Sequence, residues 1–174
     1  MSSAIALLPD AGPLITLAYA EALDLLLQPG WTVEIVDMVL HEVTRNETPT
    51  SRAIGEWVAA RRLPIRATQL FRQYQVTLAE AASPPAKANL GEFAIQEAMN
   101  QFAVLSPPRT GVFLFEDHKI ARAGFLLPDN ARKVSTRAFL LFLEQRGWLD
   151  SAAEIERRAI QNGRSFSRLR FPPA

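Results

Sequence analysis

Four separated acidic positions hold the chain's capacity for chemistry: Asp10, Glu42, Glu92 and the neighbouring pair Glu116 and Asp117. Three of them meet apolar runs. Ile5-Ala-Leu-Leu-Pro9 leads into Asp10, Glu42 stands inside Met38-Val-Leu-His-Glu-Val43, and Val112-Phe-Leu-Phe115 ends on Glu116. A carboxylate buried in such surroundings needs a partner or a cation to offset its desolvation. Carboxylate oxygens are hard ligands that suit Mg²⁺ or Mn²⁺, which take carboxylates, water and substrate phosphate together. An ion of that kind activates water and neutralises charge that builds on a phosphodiester, so the chemistry needs no nucleophilic side chain. Two ordinary readings stay open beside this one. Asp10 is also a good helix N-cap, and Glu92 is also an acid favoured by the dipole of a first helical turn.

Other chemistries find little support. The chain has no cysteine, hence no disulfide framework and no thiolate metal site. It carries neither a Walker loop, nor a G-x-G-x-x-G, nor a G-x-S-x-G. His41-Glu42 begins like a zinc-protease helix, but Arg45 occupies the position of the second histidine. With only His41 and His118 in the chain, structural or solvent roles for both are favoured over zinc ligation.

Those acids must be positioned by strands and helices, and the hydrophobic pattern alternates between the two. A short apolar run bounded by Pro9, Gly12 and Pro13 reads as a strand buried on both faces, which puts Asp10 at its C-terminal end. Leu14 to Leu27 then reads as a nearly all-apolar helix with Glu21 and Asp24 on its wet side, closed by Gln28-Pro29-Gly30. Trp31 to Val36 is β-rich and leads into a helix carrying Glu42. Helices follow over Ser51 to Arg62, with Ile54, Trp57 and Val58 inward, and over Thr68 to Ala82, with Leu70, Phe71, Tyr74 and Leu78 on one side. Leu63 to Arg66 is a short strand between them. Leu90 starts a helix that carries Glu92 and runs to about Phe102. After the Pro-rich stretch Ser106 to Thr110, the strand Val112 to Phe115 delivers Glu116-Asp117, repeating the pattern of apolar strand then carboxylate seen at Asp10. Such a repeat places acids at one edge of a parallel sheet, where ligands bind in open α/β folds. A helix from His118 to Ala123, a strand Arg132 to Val134 and helices Thr136 to Arg146 and Ser151 to Gln161 complete the pattern. The predicted architecture is a single α/β domain over 1–174, layered α/β/α around a mostly parallel sheet.

Net charge is only +1, but it is unevenly spread: residues 1–117 sum to −5 and residues 118–174 to +6. An acidic part beside a basic C-terminal third suits a protein that holds metal with carboxylates and a polyanion with arginines. It equally suits ordinary solvated helix faces. The basic tail with Arg164, Arg168 and Arg170 either tracks nucleic-acid phosphates or is a solvated end. The N-terminus lacks a basic leader, and Pro9, Asp10 and Pro13 break its apolar stretch, so neither a signal peptide nor a membrane partner is expected and the location is expected to be cytoplasmic. Apolar residues in the first helix region and in Ser51 to Ala82 exceed what one domain face obviously needs, which allows a homodimer.

Five segments together resemble a known family. Asp10-Ala-Gly-Pro-Leu-Ile-Thr-Leu-Ala18, Val39-Leu-His-Glu-Val-Thr-Arg45, Leu90-Gly-Glu-Phe-Ala-Ile95, Phe115-Glu-Asp-His-Lys-Ile-Ala-Arg122 and Val134-Ser-Thr-Arg-Ala-Phe-Leu-Leu-Phe-Leu-Glu-Gln-Arg-Gly-Trp-Leu149 stand in the order of the PIN-domain ribonucleases. The resemblance implies a Rossmann-like α/β/α sandwich, a carboxylate site binding Mg²⁺ or Mn²⁺, and cleavage of single-stranded RNA. Carried over by position, it implies Asp10, Glu42, Glu92 and Asp117 as the catalytic acids, with Asp10, Glu92, Glu116 and Asp117 as metal ligands. Thr16 would be at most a supporting group, and its reading as an ordinary helix residue is the stronger. The pattern resembles the VapC-like toxins, in which a partner antitoxin protein occupies or blocks the acidic site; PIN-like proteins also act in RNA processing. Two departures stand out: Ala94 occupies a position where the family carries a further acid, and Glu116 one where aspartate is common.

Two readings from other classes compete. A non-catalytic PIN-like module binding RNA or protein through a degraded site would follow from those departures. An aspartate-nucleophile phosphatase would want a second aspartate two residues after Asp10, where Gly12 stands.

Overall fold

A computed structural model describes residues 4–82, 89–116 and 128–165. Its centre is the strand β1 (Ile5–Pro9), which pairs in parallel with β2 (Thr32–Val33) on one side and β5 (Thr110–Phe115) on the other. β6 (Ala131–Ser135) pairs in parallel with β5, giving a four-stranded, all-parallel sheet of order β2-β1-β5-β6. A second, short parallel pair joins β3 (Ile35–Val36) to β4 (Ile65–Arg66). The helices are α1 (Ala11–Tyr19), α2 (Asp37–Thr44), α3 (Pro49–Arg61), α4 (Gln69–Glu80), α5 (Leu90–Ala103), α6 (Thr136–Gln145) and α7 (Ala152–Gln161). They flank the sheet in a three-layer α/β/α sandwich, as the sequence pattern predicts. Among the described residues no helix is long and apolar enough to cross a membrane.

Why these runs become central strands follows from composition. In a parallel sheet covered on both faces, strands read as continuous apolar runs rather than alternating ones. Leu7, Leu8, Phe113 and Leu114 are buried together with Leu14 and Leu17 of α1, Ile95, Met99 and Phe102 of α5, and Phe139, Leu140 and Leu143 of α6. Burial of each such side chain contributes about 1.5–3 kcal/mol, whereas a helix cap contributes roughly 1 kcal/mol. Core packing therefore decides where the strand ends fall, and caps trim the helices that follow. α3, α4, α6 and α7 open on their own hydroxyl caps, Thr48, Thr68, Ser135 and Ser151. α1 and α5 open on Asp10 and Asn89 without a side-chain cap bond from either.

Three expectations need correction. The helix predicted from Leu14 to Leu27 stops at Tyr19, and a 3₁₀ turn over Leu23–Leu27 follows Glu21, whose φ is 53°. The apolar period runs through the break because the turn, like the helix, sends its leucines inward: Leu23 and Leu26 are buried while Glu21 and Asp24 stay exposed. The β-rich run Trp31 to Val36 is split at Glu34. Its N–H donates to Leu7 O at 3.1 Å, but the next N–H, of Ile35, turns to Pro64 O at 3.0 Å and begins the second sheet. Leu78, expected inward, is exposed on the outer part of α4. The helix expected from His118 and the tail beyond residue 165 lie outside the described residues.

Candidate active site at the carboxyl edge of the sheet

Asp10 and Glu116 leave the sheet side by side. β1 and β5 are in register to Pro9 and Leu114, and the Asp10 N–H donates to Leu114 O at 2.8 Å, so the two acids emerge at the same end of adjacent strands. The chain passes from β1 to β2 on one side and only later returns to β5 and β6 on the other. The crevice between β1 and β5 is therefore the point where strand order reverses, the place at which open α/β sheets bind ligands. Both acids are nearly enclosed, Asp10 at 1% and Glu116 at 5% exposure. Asp10 occupies the N-cap position of α1, yet its carboxylate makes no capping hydrogen bond to that helix. Capping thus does not account for an acid at this position.

Hydroxyl groups fix Glu116. Thr16 Oγ1 donates to Glu116 Oε1 at 2.7 Å, and Thr136 Oγ1 lies 3.3 Å from the same oxygen and 3.2 Å from Phe115 O. Thr16 in turn accepts a hydrogen bond from Arg164 Nε at 3.0 Å. The reading of Thr16 as an ordinary helix residue is overturned by these contacts and by its burial. The clue was available in the sequence: a hydroxyl among Leu14, Leu17 and Ala18 needs a hydrogen-bond partner inside the fold. Thr136 carried a similar clue, because Ser135 already supplies the α6 cap and leaves the second hydroxyl another task.

A glycine lets helix and acid approach. A Cβ on Gly12 would stand 2.3 Å from Glu116 Cγ, far inside contact distance, so the first turn of α1 can rest on Glu116 only with glycine there.

Glu42 meets the start of α5, the helix that carries Glu92. Glu42 Oε1 accepts the Gly91 N–H at 3.2 Å, and a Cβ on Gly91 would come within 2.7 Å of Glu42 Oε2. Asn89 ahead of this helix has a φ of 62° and offers no side-chain cap, so Glu42 of α2 supplies the anion that the exposed N–H groups of α5 attract. Glu92 lies in that same first turn, half-buried. This explains the Leu-Gly-Glu spacing: the glycine seats Glu42, and the following acid is carried at a fixed place beside it.

The structure thus brings Asp10 together with Glu116, and Glu42 together with the helix start that carries Glu92. Among the described residues, no group of three or more His, Cys, Asp or Glu is close enough to hold a metal ion. Asp117 lies outside the described residues. Two buried carboxylates still match the way Mg²⁺ is usually held, by one or two acids with water and substrate phosphate filling the remaining positions, and they do not match an all-protein cage. His41 packs against the rings of Phe71 and Tyr74, each at 5.4 Å between centroids, which fits the structural role expected for it; His118 lies outside the described residues.

No protein-family model matches the chain, and neither a characterised protein nor a solved structure matches it.

Proposed function

We propose that this protein is a metal-dependent endoribonuclease that hydrolyses phosphodiester bonds in single-stranded RNA, with Mg²⁺ or Mn²⁺ as cofactor. The observation that carries the reading is the pair of buried carboxylates, Asp10 and Glu116, at the point where strand order reverses. The order of the five PIN-like segments supports it and extends it to the toxin of a toxin–antitoxin pair, inactive while a cognate protein covers the site.

In this reading Asp10 and Glu116 would hold the cation; the PIN-like resemblance would add Asp117, which lies outside the described residues, while Glu92 belongs to the start of α5 and forms no group of three with Asp10 and Glu116. Bound there, the ion supplies a water of lowered pKa and neutralises charge on the phosphodiester. The chain's own residues set the geometry. Thr16 and Thr136 hold the Glu116 carboxylate in one orientation, and Gly12 lets α1 close over it. Glu42 holds the start of α5, and with it Glu92, by accepting the Gly91 N–H. The apolar strands beneath, with Leu8, Phe113 and Leu114 buried, keep bulk water from the floor of the site and strengthen the electrostatics above it.

A second reading is favoured by one observation, that the described residues hold no third acid beside Asp10 and Glu116: a module that binds RNA without cutting it. The two separate in one experiment. Purified protein is incubated with total RNA and Mg²⁺ or Mn²⁺, beside Asp10→Asn and an EDTA control, and new RNA ends are mapped by sequencing. Discrete ends that vanish in both controls are the expected result. Intact RNA in every lane, with RNA retained by the protein, establishes the non-cutting module instead.

A further inference from the structure

An arginine from the far end of the chain is built into this site. α7 ends at Gln161, and two side chains fasten that end to the end of α1: Asn162 Nδ2 donates to Tyr19 O at 2.7 Å, and Arg158 Nη1 donates to Ala20 O at 3.2 Å. Gly163, at a φ of 111°, then reverses the chain, and the Arg164 N–H closes the turn on Ala159 O at 2.9 Å. The outcome of this arrangement is that Arg164 Nε reaches Thr16 Oγ1, whose own hydrogen goes to Glu116 Oε1. Thr16 thus links the guanidinium to a buried acid, and Arg164 itself is only partly buried.

Electrostatics says what such a group is for. Two enclosed carboxylates repel a polyanion, so an RNA strand approaching them needs positive charge at the rim as well as at the centre. A guanidinium has five N–H donors in a planar fork that matches phosphate oxygens, and one of them, Nε–H, is oriented by Thr16. We propose that Arg164 is a phosphate-binding residue of this site, contacting the RNA strand at or next to the phosphate cleaved, and that Thr16 orients it while orienting Glu116. This rests on the RNA reading above. The place of Arg164 is set by α7, Gly163 and Thr16.

The test uses the full chain and a single-stranded RNA oligonucleotide made uncleavable by 2′-O-methylation, so binding is read without cutting. Affinity is followed by fluorescence anisotropy over a series of salt concentrations for the wild type, Arg164→Ala and Arg164→Lys. Arg164→Ala is expected to weaken binding about tenfold and to lower the salt slope by about one, with Arg164→Lys restoring the slope. Calorimetric Mn²⁺ affinity should stay within about twofold in Arg164→Lys, because lysine keeps the charge beside the acids. Wild-type affinity and slope in Arg164→Ala would overturn the proposal. Arg164→Lys is expected to keep the salt slope but to bind several-fold more weakly, because it keeps the charge and lacks the fork; full wild-type affinity in Arg164→Lys would overturn the fork contact, and this variant serves if alanine fails to fold. Failure of the nuclease reading shows separately, as a cleavable oligonucleotide that the wild type binds but leaves whole.

Discussion

Two buried glutamates in this fold are satisfied in different ways. Glu34, at 4% exposure between β2 and β3, accepts from Arg66 Nε at 2.8 Å and Arg66 Nη2 at 2.7 Å through one oxygen, and from Arg109 Nη1 at 2.6 Å through the other. Both guanidinium groups lie over the Phe102 ring, 4.8 Å from its centre. Glu116, equally enclosed, meets the hydroxyls of Thr16 and Thr136, and Arg164 donates to Thr16. Guanidinium groups neutralise a carboxylate as they bind it, and the Thr16 and Thr136 hydroxyls orient the Glu116 carboxylate. The first arrangement joins two sheets, and the second fixes the orientation of an acid at the carboxyl edge of the sheet.

Removing Glu34 should break the first arrangement most severely. Glu34→Ala leaves two guanidinium groups without their shared acid in a largely buried place, and a loss of about 3–5 kcal/mol is expected in urea unfolding. Gly12→Ala should come next. The added Cβ would meet Glu116 Cγ, and overpacking of this kind costs about 1–3 kcal/mol; RNA cleavage should fall further than stability does, because the displaced group is the proposed ligand. Thr136→Val should cost about 0.5–1.5 kcal/mol for the lost hydrogen bonds and lower cleavage without altering RNA affinity, a pattern read from kcat and KM together.

The smallest effect is expected at an exposed pair that serves as the reference for the two buried ones. Asp24 accepts from Trp57 Nε1 at 2.9 Å and from Arg61 Nε at 3.0 Å. The Trp57 hydrogen bond first, and Arg61 second, hold its carboxyl below the ordinary value of 3.8. A carboxylate with a lowered folded-state pKa contributes its stability above the ordinary value and loses it as pH falls through the folded one. Asp24→Asn should therefore cost at most about 1 kcal/mol at neutral pH, and the difference from wild type should begin to shrink near pH 3.8 and disappear only as pH falls through the lower folded-state value. Unfolding curves at neutral pH and across the acid range check this.

The same comparison shows what could be read from the sequence. Strand β1 with Asp10 and strand β5 with Glu116 were legible because central parallel strands are continuous apolar runs, and an acid that ends one must lie at the sheet's carboxyl edge. Glu34 sits in a comparable run, yet its partners are 32 and 75 residues away, and neither Arg66 nor Arg109 carries a local pattern that points to it. A sequence shows that an acid will be enclosed; it does not show which groups of the fold will meet it. The break after Tyr19 was illegible for a related reason, since leucines on every side keep the same period whether the chain continues as a helix or turns. Thr16 and Thr136 were legible in principle as hydroxyls with no local task, whereas Arg164 reaches Thr16 only through the tethers and turn at the end of α7.

The proposal that Asp10 and Glu116 hold a cation is tested most directly by Mn²⁺ titration in a calorimeter. Wild-type protein should bind Mn²⁺ while Glu116→Gln and Asp10→Asn do not, with both variants folded by circular dichroism. Mn²⁺ binding of wild-type strength in Glu116→Gln, or none in the wild type, would contradict the account.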